Sequence, residues 1–92
     1  MYSFTSHFFE RYNERFPEYP MTDTLKDYVE RFCNTQKPFS IIDNKKRKSD
    51  YFTFILYGET LITIICDGDS NEIKTCIRET HKRKHFYENR FS

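Results

Sequence analysis

Apolar residues along this chain change their spacing near Pro38, and the change divides it into two kinds of secondary structure. From Thr5 to Phe16 the rings of Phe8, Phe9, Tyr12 and Phe16 fall at i, i+1, i+4 and i+8, the repeat of one helical face. Thr5 or Ser6 supplies the N-cap, and the helix stops before Pro17, because a residue ahead of proline is pushed out of the helical region. After the connector "PEYP", the stretch "TDTLKDYVERFCN" sets Leu25, Tyr28, Val29, Phe32 and Cys33 at i, i+3, i+4, i+7 and i+8. That spacing predicts a second amphipathic helix, capped by Thr22 or Asp23 and ending near Asn34.

Beyond Pro38 the period falls to two. "FSIID" predicts a short strand, "NKKRKSD" a polar loop, "YFTFILY" and "LITIIC" two strands joined by "GET", and "EIKTCIR" a last strand after the turn "DGDSN". Short connections in series give a four-stranded antiparallel meander, so the chain is expected to be an α+β domain with two N-terminal helices packed on one sheet face. Alternation assigns Phe52, Phe54, Leu56, Ile62, Ile64 and Cys66 to the covered face. Tyr51, Thr53, Ile55, Tyr57, Leu61, Thr63 and Ile65 fall on the other, which is too apolar for a solvated surface. The C-terminal stretch, as a helix, or a partner is expected to cover it; Tyr51, Ile55, Tyr57 and Leu61 are its candidate partner-binding residues. On the last strand either Ile73, Thr75 and Ile77 or Lys74, Cys76 and Arg78 face the helices, and alternation leaves both open.

The 92 residues make a single domain, with a helical part over 3–36, a sheet over 38–78 and a basic aromatic tail over 79–92. Charged residues at 32% would favour disorder, but aromatics at 18% supply a core. Fifteen Lys and Arg against fourteen Asp and Glu leave a net charge of +1, so any attraction to nucleic acid must come from local segregation. Lys45, Lys46, Arg47 and Lys48 form one such tract and Arg78, Lys82, Arg83 and Lys84 another. These cations are candidate nucleic-acid contacts, the first tract otherwise being a solvated hairpin loop and the second part of a terminal helix. The three cysteines are odd in number and lack metal-ligand spacing, and His81 and His85 lack a third ligand, so no metal or cofactor is expected. No apolar run reaches the length of a membrane span and no leader pattern opens the chain, which predicts a cytoplasmic protein with no membrane association.

The candidate chemistry lies on the first helix. His7, Arg11 and Arg15 stand four residues apart, one ridge beside the Phe8, Tyr12 and Phe16 ridge. In one reading this is a solvated flank in which Glu10 and Glu14 pair with basic neighbours. In the other it serves phosphodiester chemistry: two guanidinium forks suit a phosphate, and an imidazole suits proton transfer near neutrality.

The opening "SFTSHFFERYNERF", the second amphipathic helix and a meander ending "IKTCIR" together resemble the barnase/colicin/RelE-like ribonuclease superfamily, in particular a branch that opens with an "HAxxRxxxR" helix. Phe8 stands where that branch has a small residue, and "FPEYP" replaces its tight glycine turn. The resemblance implies a site of His7, Arg11, Arg15 and Thr75, although Thr75 also fits as a β-branched core residue. It implies a toxin-like, metal-independent endoribonuclease or RNA-binding domain of phage or bacterial type, with RNA as partner and an antitoxin or host protein as a further one. The rival expectation is a non-enzymatic binding or inhibitor protein, acting on a host protein or nucleic acid through the aromatic sheet face; a homodimer through that face is compatible with either.

Overall fold

The computed structural model describes residues 1–79. Its order is β1 (Ser3–Phe4), α1 (Ser6–Arg15), α2 (Asp23–Thr35), β2 (Phe39–Ile42), β3 (Lys48–Leu56), β4 (Thr60–Asp67) and β5 (Glu72–Arg78). Both helices start at a threonine that fills an orphan amide: Thr5 Oγ1 accepts from the Phe8 N–H at 3.3 Å and Thr22 Oγ1 from the Leu25 N–H at 3.1 Å. α1 ends at Phe16, ahead of Pro17, with the Phe16 N–H still bonded to the Tyr12 carbonyl.

The strands form one five-stranded sheet in the order β1-β5-β4-β3-β2. Here the expected four-stranded antiparallel meander is corrected, because β1 adds a fifth strand that runs parallel to β5, pairing Ser3 with Glu72 and Phe4 with Ile73. Two residues are too few to show alternation, and their partners lie at the other end of the fold. The expected C-terminal helix, with Lys82, Arg83, Lys84, His81 and His85, lies outside the described residues.

Phe8, Tyr12 and Phe16 from α1 and Leu25, Val29 and Cys33 from α2 are buried against Phe52, Phe54, Leu56, Ile62, Ile64, Cys66, Ile73 and Cys76. Each such ring or branched chain contributes roughly 1.5 to 3 kcal/mol through burial. Along α1 the rings run Phe8 to Tyr12 to Phe16 with centroids 6.2 and 5.3 Å apart, so the helix meets the sheet along one aromatic ridge.

Two local features break the simple alternation. Between the pairs Ile65–Thr75 and Cys66–Ile73 the register slips by one, leaving Lys74 as the extra residue of a β-bulge. The helix face of β5 is therefore Ile73, Cys76 and Arg78, with Thr75 and Ile77 behind, a set that neither strict alternation allowed. At the β3–β4 hairpin, Tyr57 and Gly58 both take left-handed backbone, φ 51° and 74°, the pattern of a tight right-twisted turn. That turn carries Tyr57 off the far face to the helix side, where its ring lies 5.3 Å from Tyr19.

Burial also fixes protonation. Tyr2 and Tyr12 are raised above the usual phenol range, first by burial; Cys66 is raised first by its hydrogen bond with the Cys33 thiol, and Cys76 is pushed up to about 12 by burial. A raised acid favours the fold while protonated, so this contribution is complete below the unfolded values of 9.0 for cysteine and 10.0 for tyrosine and is lost above them. Melting followed by circular dichroism from neutral to alkaline pH should show Tm holding to about pH 9 and then falling; a Tm that stays level well past the tyrosine range would contradict it.

Candidate functional site at the α1–β5 seam

α1 lies along β5, and the ridge of basic residues runs down the side of that contact. His7, at the first turn, keeps about half of its side chain exposed, with Nδ1 3.9 Å from Glu10 Oε2. One turn on, Arg11 Nη1 donates to Glu14 Oε2 at 2.9 Å. Arg15 turns inward: its Nη1 donates to the Cys76 carbonyl at 2.6 Å and reaches Thr75 Oγ1 at 3.4 Å. The structure thus brings together Arg15 and Thr75, distant in sequence, while Arg11 bonds to Glu14 and His7 lies near Glu10, both within their own helix.

Arg78 joins them from β5. Its Nη2 donates to the Arg15 carbonyl at 2.9 Å and to Glu18 Oε1 at 2.7 Å, and its guanidinium lies 4.6 Å over the Phe16 ring. A cation on the last carbonyls of α1 is favoured by the helix dipole. The same contact holds Glu18 below the usual carboxylate range, by the Arg78 bond first. Arg78 is therefore a clamp that fixes where α1 ends on the sheet.

Among the described residues Arg15 bonds through Nη1 alone, so its Nε and Nη2 are left to a ligand. A guanidinium with one nitrogen pinned to a strand carbonyl has lost most of its rotamer freedom before a ligand arrives, and a planar fork held in that way suits a phosphate. Each four-residue step along α1 rises about 6 Å, so Arg11 and Arg15 serve neighbouring positions on a chain of phosphates rather than one oxygen.

The other candidate cations do not converge here. The turn after β2 is built around Asp43, whose Oδ1 accepts from the Lys45 and Arg47 N–H groups at 2.9 Å and whose Oδ2 accepts from Arg47 Nε at 3.0 Å. These bonds hold the Asp43 carboxyl below its ordinary value, the Arg47 amide first. Lys46 sits at φ 61° at the tip, and Lys48 extends toward Asp50, Nζ to Oδ1 3.9 Å. In the register Arg78 lies beside Ile62 and Ile62 beside Phe54, six residues from Lys48. The loop is accordingly about 25 Å from Arg78 and the Arg15 end of the seam, while Arg47 and Lys48 line a shallow cleft with Lys74 of β5 at the other end of the strand.

Of the expected partner-binding residues, Tyr51 and Leu61 are half-buried on the far face and Ile55 is 52% exposed there. Tyr57, together with Ile55, also lines an apolar groove of about 240 Å³ with Leu25, Tyr28, Phe54 and Leu56. Among the described residues, no three His, Cys, Asp or Glu side chains converge to hold a metal ion, and no helix is long and apolar enough to cross a membrane.

A polar cluster escaped the sequence reading. Asp50, with no exposure, accepts from the Tyr2 hydroxyl and from Ser40 Oγ, the latter at 2.6 Å. Asn34 holds Tyr2 in turn, accepting from its N–H at 2.7 Å and donating to its carbonyl at 3.2 Å. The signal was present in the sequence, because Asp50 shares the phase of Phe52, Phe54 and Leu56 and so had to point into the core. Comparison of this chain with protein-family models, curated proteins and solved structures gives no match.

Proposed function

We propose that this chain is a small RNA-directed domain that grips the phosphate backbone along the α1–β5 seam and cleaves it without a metal ion. The observation that carries the reading is Arg15, an exposed residue anchored through Nη1 on the Cys76 carbonyl beside Thr75. The element order adds support: an arginine-bearing helix, a second helix and antiparallel strands ending in "IKTCIR" follow the order expected from the RelE-like resemblance, in which the helical arginines and a hydroxyl of the last strand form the site. Arg11 and Arg15 hold adjacent backbone phosphates. His7 takes the proton of the ribose 2′-hydroxyl as that oxygen attacks the neighbouring phosphorus, the bond to the 5′-oxygen breaks as that oxygen takes a proton from water, and a 2′,3′-cyclic phosphate and a 5′-hydroxyl are left.

Binding is the first test. Labelled single-stranded RNA, titrated by fluorescence anisotropy in EDTA at several salt concentrations, should show affinity falling with salt at a log-log slope of about −1.4, as two neutralised phosphates would give. A slope near zero, or no binding at low salt, would refute the reading. A second reading, a non-enzymatic protein that docks a partner on the far sheet face, draws on Ile55, more than half exposed there.

A further inference from the structure

At the β3–β4 turn the apolar groove of about 240 Å³ opens between the hairpin and the start of α2. Leu25, Phe54 and Leu56 form its buried part, while Tyr28 at 46%, Ile55 at 52% and Tyr57 at 60% exposure stand around it. Phe54 and Tyr28 meet edge to face at 5.2 Å, and Tyr19 backs Tyr57 at 5.3 Å. Large apolar side chains kept in water side by side mark an interaction surface. Tyr57 adds a second sign. Its backbone is left-handed, φ 51°, a conformation that disfavours bulky side chains and suits glycine. Its ring is nonetheless left mostly exposed, so the strain does not serve burial.

Charge decides what fits. In a chain of net charge +1, the segments that frame the groove, 17–28 and 55–60, carry Glu18, Asp23, Asp27 and Glu59 against one cation, Lys26. Lys26 turns the other way, its Nζ 6.0 Å from the Phe4 ring centroid and 5.6 Å from that of Phe9, and Arg78 is committed to Glu18. Asp27 and Glu59 are both exposed, and Glu59 is held beside Tyr57 because its Oε1 accepts from the Tyr19 hydroxyl at 2.8 Å. This end of the molecule repels a nucleic acid and draws a cation. The volume also falls below the roughly 300 to 1,000 Å³ of a small-molecule pocket, which leaves room for one side chain. We propose that the groove docks a basic segment of a partner protein, one bulky apolar side chain entering between Tyr28 and Tyr57 and the lysines or arginines beside it meeting Asp27 and Glu59. A flanking cation gains from the tyrosine faces as well. The docking is independent of the α1–β5 seam and of any RNA held there.

The probes are blocked tripeptides with a central Phe flanked by Lys, by Gln or by Glu, titrated into the intact protein at low salt. Nuclear magnetic resonance follows the methyl signals of Leu25 and Ile55. The Lys-flanked probe is expected to shift both signals saturably and to bind about tenfold more tightly than the Glu-flanked one, with the Gln-flanked probe between. Asp27→Asn combined with Glu59→Gln should close most of that gap. Equal affinities, absent shifts, or larger shifts from a uridine oligonucleotide, which would make the groove a base pocket, overturn the proposal. Tyr57→Gly separates the ring from the fold: it should weaken the Lys-flanked probe about tenfold and hold Tm within about 5 °C, because glycine relieves the left-handed backbone. Undiminished binding in that variant, or a larger fall in Tm, would assign the ring to packing and overturn it.

Discussion

Asp50→Ala should cost about 3 kcal/mol of stability, or roughly 12 to 24 °C in Tm for a domain of this size. The carboxylate accepts hydrogen bonds from Tyr2 and Ser40 in a place without exposure, and each bond to a charged group is worth about 1.5 to 3 kcal/mol. Part of that is returned, because the variant no longer buries a charge and Lys48 can turn to solvent. Tyr2→Phe removes one of the two bonds and should cost about 1 to 2 kcal/mol, leaving Ser40 in place. The effect reaches beyond its own site: Tyr2 precedes β1, which pairs with β5, and the Tyr2 backbone is tied to Asn34 of α2. Thermal melts of the two variants beside the parent decide the matter, and an Asp50→Ala Tm within about 5 °C of the parent would show that the cluster does not tie these elements together.

His7→Ala and Arg11→Ala should abolish RNA cleavage and leave the melting temperature nearly unchanged. Losing a general acid/base group costs about 10² to 10⁴ in rate, and losing a guanidinium that meets the charge built up at phosphorus about 10² to 10³. Neither side chain holds the fold: His7 is half exposed, and Arg11 pairs only with Glu14 on the surface, a pair worth about 0.3 to 0.5 kcal/mol. Arg15→Ala should differ, losing cleavage and stability together because the Cys76 carbonyl loses its donor. The assay is incubation with mixed RNA in EDTA with the product ends mapped; cyclic phosphate ends that vanish in both variants are expected. Undiminished cleavage in either variant removes that residue from the mechanism, and RNA left intact by the parent leaves a binding role only.

Both helices, their threonine caps and the six core residues of β3 and β4 were legible because each follows from neighbours within a few positions. Fold class came with them, since a change of period from 3.6 to 2 is itself local. What escaped was set at a distance or by one residue too many. β1 is defined by strand partners near the other end of the described chain. The bulge at Lys74 turns Ile73 and Cys76 to the same side, which no strict period of two can express. Tyr57 left its expected face because the turn needed left-handed backbone there. In the candidate site, the ridge of His7, Arg11 and Arg15 was readable from spacing, but its meeting with Thr75 was not, because that depends on the slip in β5. Asp50 was readable and passed over, an acid in a core phase being the sign of a partnered carboxylate.

Beyond Ile73 the outer edge of β5 has no strand beside it among the described residues, because β1 pairs only with Glu72 and Ile73. At Cys76 that edge is closed by a guanidinium. An open row of carbonyls and amides invites strands from other molecules, and a fixed charge on it is one of the ways folded chains refuse them. Arg15 therefore stands guard over self-association as well as over a ligand. A phosphate drawn to its free nitrogens would leave the anchor in place, whereas a substitution chosen to silence the site would also unblock the edge. Loss of the arginine would then be felt first as cross-molecular strand pairing at that border.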